Sequence, residues 1–434
     1  MTSRTDALAA AKLSDQGHPS AAYTPRRRAG MLFILFLVST SSYLDRNIIG
    51  VALEPIKQEF GVSDTMLGLL TGASFALFYV TMGVPVARWA DRGDRRIIIT
   101  AALAVWSLMT ALCGAATTFW QLVLARVGVG AGEAGAMAPA QGLLADYFPP
   151  SQRARAISLF MLSVTAGNFL GLAGGGWLVQ NFGWRTMFLA VGLPGLLLVP
   201  LVYFTLNEPR SAAPSEVSTE TLADVLKALR RKSSYVLAVG AMALFFAVAY
   251  GPLSFVVPFM IRAHDLPIGQ AAAIYGACTA LGGLIGNLAG GALTDRLAAS
   301  EVRWLCWIPA AGMVGVCLLY QAAFLAPSTS AMIVLLFCGS LISGAAYPPM
   351  YSLLHAVCGS KRRVMAVAVA LFVGNLVGIG LGPLLVGAVS DLLTPSLGAA
   401  EALRLALVII ASALAPAAFL FLGAARCVRG DLEA

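Results

Sequence analysis

The sequence predicts an all-α membrane protein of twelve transmembrane helices in two six-helix bundles. Three observations lead there. Of 434 residues, 59% are apolar and 12% charged, where a soluble domain holds about 45–50% and about 25% on comparable counts. Apolar runs of 18–28 residues recur, without the alternation that a membrane β-strand of about 10 residues requires. Landmark residues of the first half return in the second at an offset of 204. A soluble fold of this size cannot bury so much apolar surface. A cytosolic enzyme, a nucleic-acid binder and a disulfide scaffold are thereby excluded, and the lipid bilayer is the chain's solvent.

The first bundle, 31–206, is expected to hold spans at 31–53, 66–87, 97–116, 119–145, 153–178 and 185–206. A polar linker, 207–234, follows. The second bundle, 235–425, is expected to hold spans at 235–261, 268–293, 303–325, 330–355, 363–389 and 401–425. The tails are 1–30 and 426–434. The first 30 residues are polar and end in Arg26-Arg27-Arg28 against a full-length span, unlike a signal peptide. This arrangement holds the N-terminus in the cytoplasm, and an even number of spans returns the C-terminus there. On that topology 23 of the 29 Lys and Arg residues are cytoplasmic, four lie outside, and Arg46 and Arg126 lie within spans. This positive-inside pattern makes the net charge of +8 a mark of orientation rather than of nucleic-acid binding. The seven Cys and three His are scattered without ligand-like spacing, so no metal or cofactor is expected.

The repeat fixes equivalent positions. Asp91-Arg92 after the second span matches Asp295-Arg296 after the eighth, and Gly167-Asn168 matches Gly374-Asn375. Gly167, Gly171 and Gly175 recur at four-residue spacing, as do Gly374, Gly378 and Gly382. Small residues let helices approach closely, and these are expected to face the opposite bundle as pivots. Pro139 is expected to kink the fourth span, Pro252 and Pro258 the seventh, and Pro348-Pro349 the tenth. Charged residues around the short loops, Asp91, Arg92, Arg95, Arg155, Asp295 and Arg296, are expected at a cytoplasmic gate.

Four charges stand inside lipid: Asp45 and Arg46 in the first span, Arg126 and Glu133 in the fourth. Each costs roughly 2.5–3.5 kcal/mol or more if lipid-exposed at a helix centre, so all four should face the protein interior. At about 1.5 Å per residue, Asp45, Arg46 and Arg126 lie at similar depth, and Glu133 about 10 Å nearer the cytoplasm. An acid beside an arginine stays ionised, while one in apolar surroundings keeps its proton. Asp45 and Glu133 are therefore candidates for proton coupling. Arg46 and Arg126 are candidates for an anionic headgroup or for the acids themselves. A salt-bridge network that only locks two helices is the alternative. The second half carries no acid or Arg at a span centre. Tyr43, Tyr250, Phe255, Tyr347, Tyr351 and Asn375 are its candidates, with the first half, for cavity lining. A site charged on one wall and apolar on the other suits an amphiphile better than a sugar.

With Ala87-x-x-x-Asp91-Arg92-x-x-Arg95-Arg96 and its second copy Gly291-x-x-x-Asp295-Arg296, residues 25–425 resemble the major facilitator superfamily. Ala87 and Asp94 stand where glycine is usual in that signature. The first half is similar to the spinster branch, the lysolipid and sphingosine-1-phosphate transporters. It carries Leu44-Asp45-Arg46-Asn47, Glu59-Phe60 with Ser63-Asp64, Arg126-x-x-x-Gly130-x-Gly132-Glu133-Ala134, Asp146-Tyr147-Phe148-Pro149 and Gly183-Trp184-Arg185. The resemblance implies a proton-coupled secondary transporter of the bacterial inner membrane. Its cargo would be a lysophospholipid or a sphingosine-1-phosphate-like anion, moved by rocker-switch alternating access in a monomer. Asp45 and Glu133 would take protons, and Asp91 and Arg155 would belong to the gate. A broad exporter of hydrophobic drugs, a carrier of small organic or sugar phosphates, and a non-transporting receptor remain open alternatives.

Overall fold

The computed structural model describes residues 23–209 and 222–432. The expected N-terminal tail up to residue 22 and the linker stretch 210–221 lie outside the described residues. All regular structure among those described is helical. In chain order the helices are α1 (Pro25–Phe60), α2 (64–92), α3 (Arg95–Ala115), α4 (Phe119–Glu133), α5 (Met137–Tyr147), α6 (Pro150–Phe169) and α7 (Gly175–Thr205). After the linker come α8 (Leu222–Arg230), α9 (Ser233–His264), α10 (Ile268–Ala298), α11 (Trp304–Leu325) and α12 (Thr329–Asn375). The chain ends with α13 (Gly382–Leu397), α14 (Ala399–Ala411) and α15 (Leu414–Asp431).

Local chemistry sets several boundaries. Asp94 caps α3 by accepting from the Arg96 and Ile97 amides. Thr118 and Gln121 form a capping box at the start of α4. Ser328 caps α12 through the Ala331 amide. Wider π turns interrupt the helices at Leu69–Ala73, Leu170–Gly174 and Leu376–Leu381.

Ten helical stretches among the described residues are long and apolar enough to cross a membrane, which makes this a multi-pass membrane protein. The twelve expected spans differ from that number for two physical reasons. The expected span 119–145 is broken into α4 and α5, and neither piece has the length to cross alone. Pro139 lacks an amide proton, and its ring crowds the carbonyl of residue 135, so the helix cannot run through. In contrast, Pro150–Thr205 forms one helical run of 56 residues. That is about 84 Å at 1.5 Å per residue, more than twice a hydrocarbon core of about 30 Å. Gly183, at φ +82°, is where this run turns. Pro252, Pro258, Pro348 and Pro349 lie inside α9 and α12 without ending them.

The chain packs as two compact units. The first gathers α1 up to Arg46, Phe78–Asn168 and the stretch from Arg185. The second gathers Asn47–Leu77, Phe169–Trp184 and the residues beyond the linker. This grouping follows packing rather than the halves of the sequence. In the second unit the π turn of α2 lies against Leu376–Leu381: a Cβ at Gly72 would sit 2.8 Å from the Ile379 carbonyl oxygen. The main apolar core of that unit includes Met242, Phe245, Phe246, Leu353 and Phe421.

The glycine repeats divide: Gly167, Gly374, Gly378 and Gly382 face their own half. A Cβ at Gly167 would meet Tyr43 of α1 at 2.6 Å, and one at Gly378 would meet Phe246 of α9 at 2.6 Å. Gly382 lies against Ala247 and Gly251, also of α9. Around Gly171 and Gly175 the chain instead lies against the second half: a Cβ at Gly176 would meet Ala272 at 2.5 Å, and one at Gly276 would meet Leu172 at 3.1 Å. Gly68 and Gly72 also bring first-half and second-half backbones together.

Candidate functional site

In the first unit the four charges expected within lipid are brought together as two ion pairs. Arg126 Nη1 donates to Asp45 Oδ1 at 3.0 Å, with both side chains 1–2% exposed. Arg46 Nε donates to Glu133 Oε2 at 2.5 Å, with Arg46 19% exposed and Glu133 fully buried. Adjacent residues of α1 thus reach two residues of α4 that lie two turns apart. Two opposite charges at each contact leave the group neutral, which is what makes burial tolerable.

Further groups tune each pair. The Thr110 hydroxyl, on α3, donates to Asp45 Oδ2, and the Ser42 hydroxyl donates to Glu133 Oε2 at 2.9 Å. The Arg46 guanidinium lies over the rings of Tyr79, at 4.4 Å, and Tyr43, at 5.2 Å. Tyr43, expected as cavity lining, lies beside Arg46. Thr110, Ser42 and Tyr79 were not legible from sequence. A hydroxyl or phenol within a membrane helix is too common to mark a site by itself.

The two arginines are not equivalent. Arg126 is sealed among α1, α3 and α4, while Arg46 keeps an exposed edge and lines a cavity with Glu133 and Ser42.

The aromatic candidates of the second half sit in one packed cluster. Tyr347 meets Phe245 edge-on with centroids 5.2 Å apart, and Tyr250 lies 6.0 Å from Phe246. Tyr351 is half-buried against the same core, and Asn375 is half-buried at the end of α12. Phe255 is a correction to the expected cavity lining. It has no exposed surface, because α9 is wrapped on all sides there, so it is core.

The expected cytoplasmic gate divides. The side chains of Asp91 and Arg92 lie outside those described. Arg155, Asp295 and Arg296 are exposed. Arg95 is not exposed: it bonds Asp146 Oδ2 at 2.6 Å and Glu208 Oε2 at 3.0 Å, all within the first unit. It ties the start of α3 to the end of α5 and to the chain leaving α7.

A second buried cluster, absent from the sequence expectations, lies in the second unit. Asp64 opens α2 and is fully buried. Arg262 of α9 grips both its oxygens, at 2.9 and 3.0 Å, and also reaches Glu54 at 2.8 Å. Lys57 and Ser390 donate to Asp64 at 2.7 Å each. Asp391 in turn accepts from the Asp64 and Thr65 amides at 2.9 and 2.7 Å, capping α2 from a remote part of the chain. The signal was present, since Ser63-Asp64 was part of the motif, but Asp64, Arg262 and Asp391 are too far apart in sequence to be paired by spacing. Among the described residues no group of three His, Cys, Asp or Glu is arranged to hold a metal ion.

Residues 35–383 match the Major Facilitator Superfamily. An "MFS-type efflux pump" of Mycolicibacterium smegmatis is 33% identical over 90% of this chain and 90% of its own. The human "Protein spinster homolog 1" is 28% identical over 94% of this chain and 82% of its own. Two crystal structures of a bacterial homolog of the human lysosomal transporter Spinster, inward-facing and either unoccupied or occupied, superpose with a TM-score of 0.86. They are 30% identical to this chain and cover 95% of it and 100% of the solved chain.

Proposed function

The chain belongs to the Major Facilitator Superfamily of secondary transporters and is related to its spinster branch; from that premise we propose that it carries an amphiphilic anionic lipid, coupled to protons. The lipid is a lysophospholipid or a sphingosine-1-phosphate-like molecule. The observation that carries this reading is the Arg46–Glu133 pair, buried on the acid's side and partly open on the arginine's. An anion cannot engage Arg46 while Glu133 holds it. Protonating Glu133 removes the competing charge and releases the guanidinium for a phosphate by charge-assisted bonds. Proton and anion then bind together, which makes the transport a symport. Arg126 stays with Asp45 as the fixed partner that sets the second acid's charge.

In this proposal the helices form two six-helix bundles, 31–206 and 235–425, with both termini in the cytoplasm of a bacterial inner membrane. The bundles rock about the site in a monomer. Asp91, Arg92, Arg155, Asp295 and Arg296 close the cytoplasmic side. The Asp64–Arg262 cluster closes the other.

Competition binding to the purified protein tests the substrate. A long-chain lysophospholipid should displace a labelled lysophospholipid at least tenfold better than glycerol phosphate does. Equal potency would instead favour a carrier of small phosphates. The efflux-pump relative supports a second reading, export of hydrophobic compounds. It predicts transport of a lipophilic cation that survives Arg46→Ala, whereas the lipid-anion reading predicts that Arg46→Ala abolishes binding.

A further inference from the structure

Glu133 is held by only one of its oxygens. Oε2 accepts from Ser42 and Arg46, whereas Oε1 is buried with no hydrogen-bond partner among the described residues. Beside it is a cavity of about 10 Å³ between α1, α5 and α6, lined by Ser39, Ser42, Arg46, Glu133, Ala140 and Phe160 among others. On its far side the Ser39 hydroxyl lies 2.7 Å from that of Ser163. The backbone is also open here. α4 ends at Glu133, α5 begins at Met137, and Pro139 offers no amide to the Gly135 carbonyl. A volume of about 10–15 Å³ holds one water, provided that polar groups surround it. A buried carboxylate oxygen without a donor calls for one.

We propose that this cavity is a single-water site and that its water delivers the coupling proton to Glu133 Oε1. The inference rests on the reading that Glu133 takes that proton. In the resting state the water donates one hydrogen to Oε1 and is anchored by the serine hydroxyls. When an excess proton reaches the water, one O–H bond of the resulting hydronium breaks. The Glu133 Oε1–H bond forms, and neutral water remains. Glu133 loses its charge, and its hold on Arg46 weakens. The charged and titratable groups around Glu133 are Arg46, Asp45 and Tyr43 from α1, Tyr79 from α2 and Arg126 from α4. The α5 and α6 sides of the cavity bring only apolar groups and hydroxyls. The proton is therefore handed to Oε1, the oxygen that Arg46 does not hold.

Infrared difference spectra across a pH titration of the full-length protein test the site. The wild type should show a water O–H band, shifted in H2-18O, that appears together with the Glu133 carboxyl band. Asp45→Asn should keep it. Ala140→Val, which adds two methyl groups on the cavity wall, should lose it and slow uptake of lysophospholipid driven by a pH gradient at least tenfold, with equilibrium binding within twofold of wild type. Ser39→Ala, a milder change, should weaken the band and slow uptake severalfold. Thermal melts establish that both variants are folded. The proposal is overturned if the Glu133 carboxyl band titrates without any water band, or if Ala140→Val and Ser39→Ala both take up lipid at the wild-type rate. A water band in a protein whose uptake ignores the pH gradient would leave the site standing and refute the proton-coupled function instead.

Discussion

The Asp64 cluster of the second unit and the Glu133 cluster of the first both bury a carboxylate against an arginine, but they divide its oxygens differently. Asp64 has each oxygen met twice, by Arg262 and Lys57 on one and by Arg262 and Ser390 on the other. Glu133 has both of its donors on Oε2 and none on Oε1. A carboxylate that accepts several charge-assisted bonds is held ionised, and protonation would forfeit them all. One with a bare oxygen loses little by taking a proton there. Under the proposed function the same residue types build a fastening in one place and a switch in the other, and donor count is what separates them. The Asp45 pair lies between these cases, with one donor on each oxygen.

The largest effect should come from breaking the most deeply buried pair. Arg126→Met leaves Asp45 charged and buried beside Thr110, and should cost about 3–5 kcal/mol of stability in denaturant titration of the detergent-solubilised protein. Adding Asp45→Asn to it should restore most of the loss. If the double variant is as unstable as the single, the pair is not what stabilises the contact between α1 and α4.

Arg262→Met should cost less, about 1–3 kcal/mol, because Lys57 and Ser390 still answer Asp64. Lys57→Met should cost less again, since Lys57 is the more exposed of the two donors. An equal loss from both would mean that the fastening is not graded by burial. The smallest of these changes is Thr110→Val, expected to cost about 1–2 kcal/mol as a single hydrogen bond to a charged group. Thr110→Ser should retain wild-type stability, which separates loss of the bond from loss of packing.

Legibility from the sequence followed the same line. Asp45, Arg46, Arg126 and Glu133 stood out because a charge in a long apolar run has one economical explanation, and counting residues along two helices placed them at compatible depths. Asp64 and Arg262 stood near span ends, where charges are ordinary, so nothing marked them as buried. The break after Glu133 was announced by Pro139, but its consequence for the number of crossing helices was not. The glycine repeats gave their close approach, but their partners differ: Gly167, Gly374, Gly378 and Gly382 meet their own half, while the stretch around Gly171 and Gly175 meets the second half. Spacing tells which side of a helix is small, and only packing tells what comes against it. Phe255 failed as a lining residue for the same reason, since an aromatic side chain in a membrane helix reads alike whether it faces a cavity or the core.

In the proposed function, protonation of Glu133 exchanges its hold on Arg46 for a lipid anion. Measuring lysophospholipid affinity against pH, in wild type and Glu133→Gln, tests it most directly. The amide mimics the protonated acid. Affinity in the wild type should fall at least tenfold as pH rises through the range where Glu133 ionises, and affinity in Glu133→Gln should stay at the low-pH value throughout. A Glu133→Gln protein whose binding follows pH as the wild type does would contradict the account.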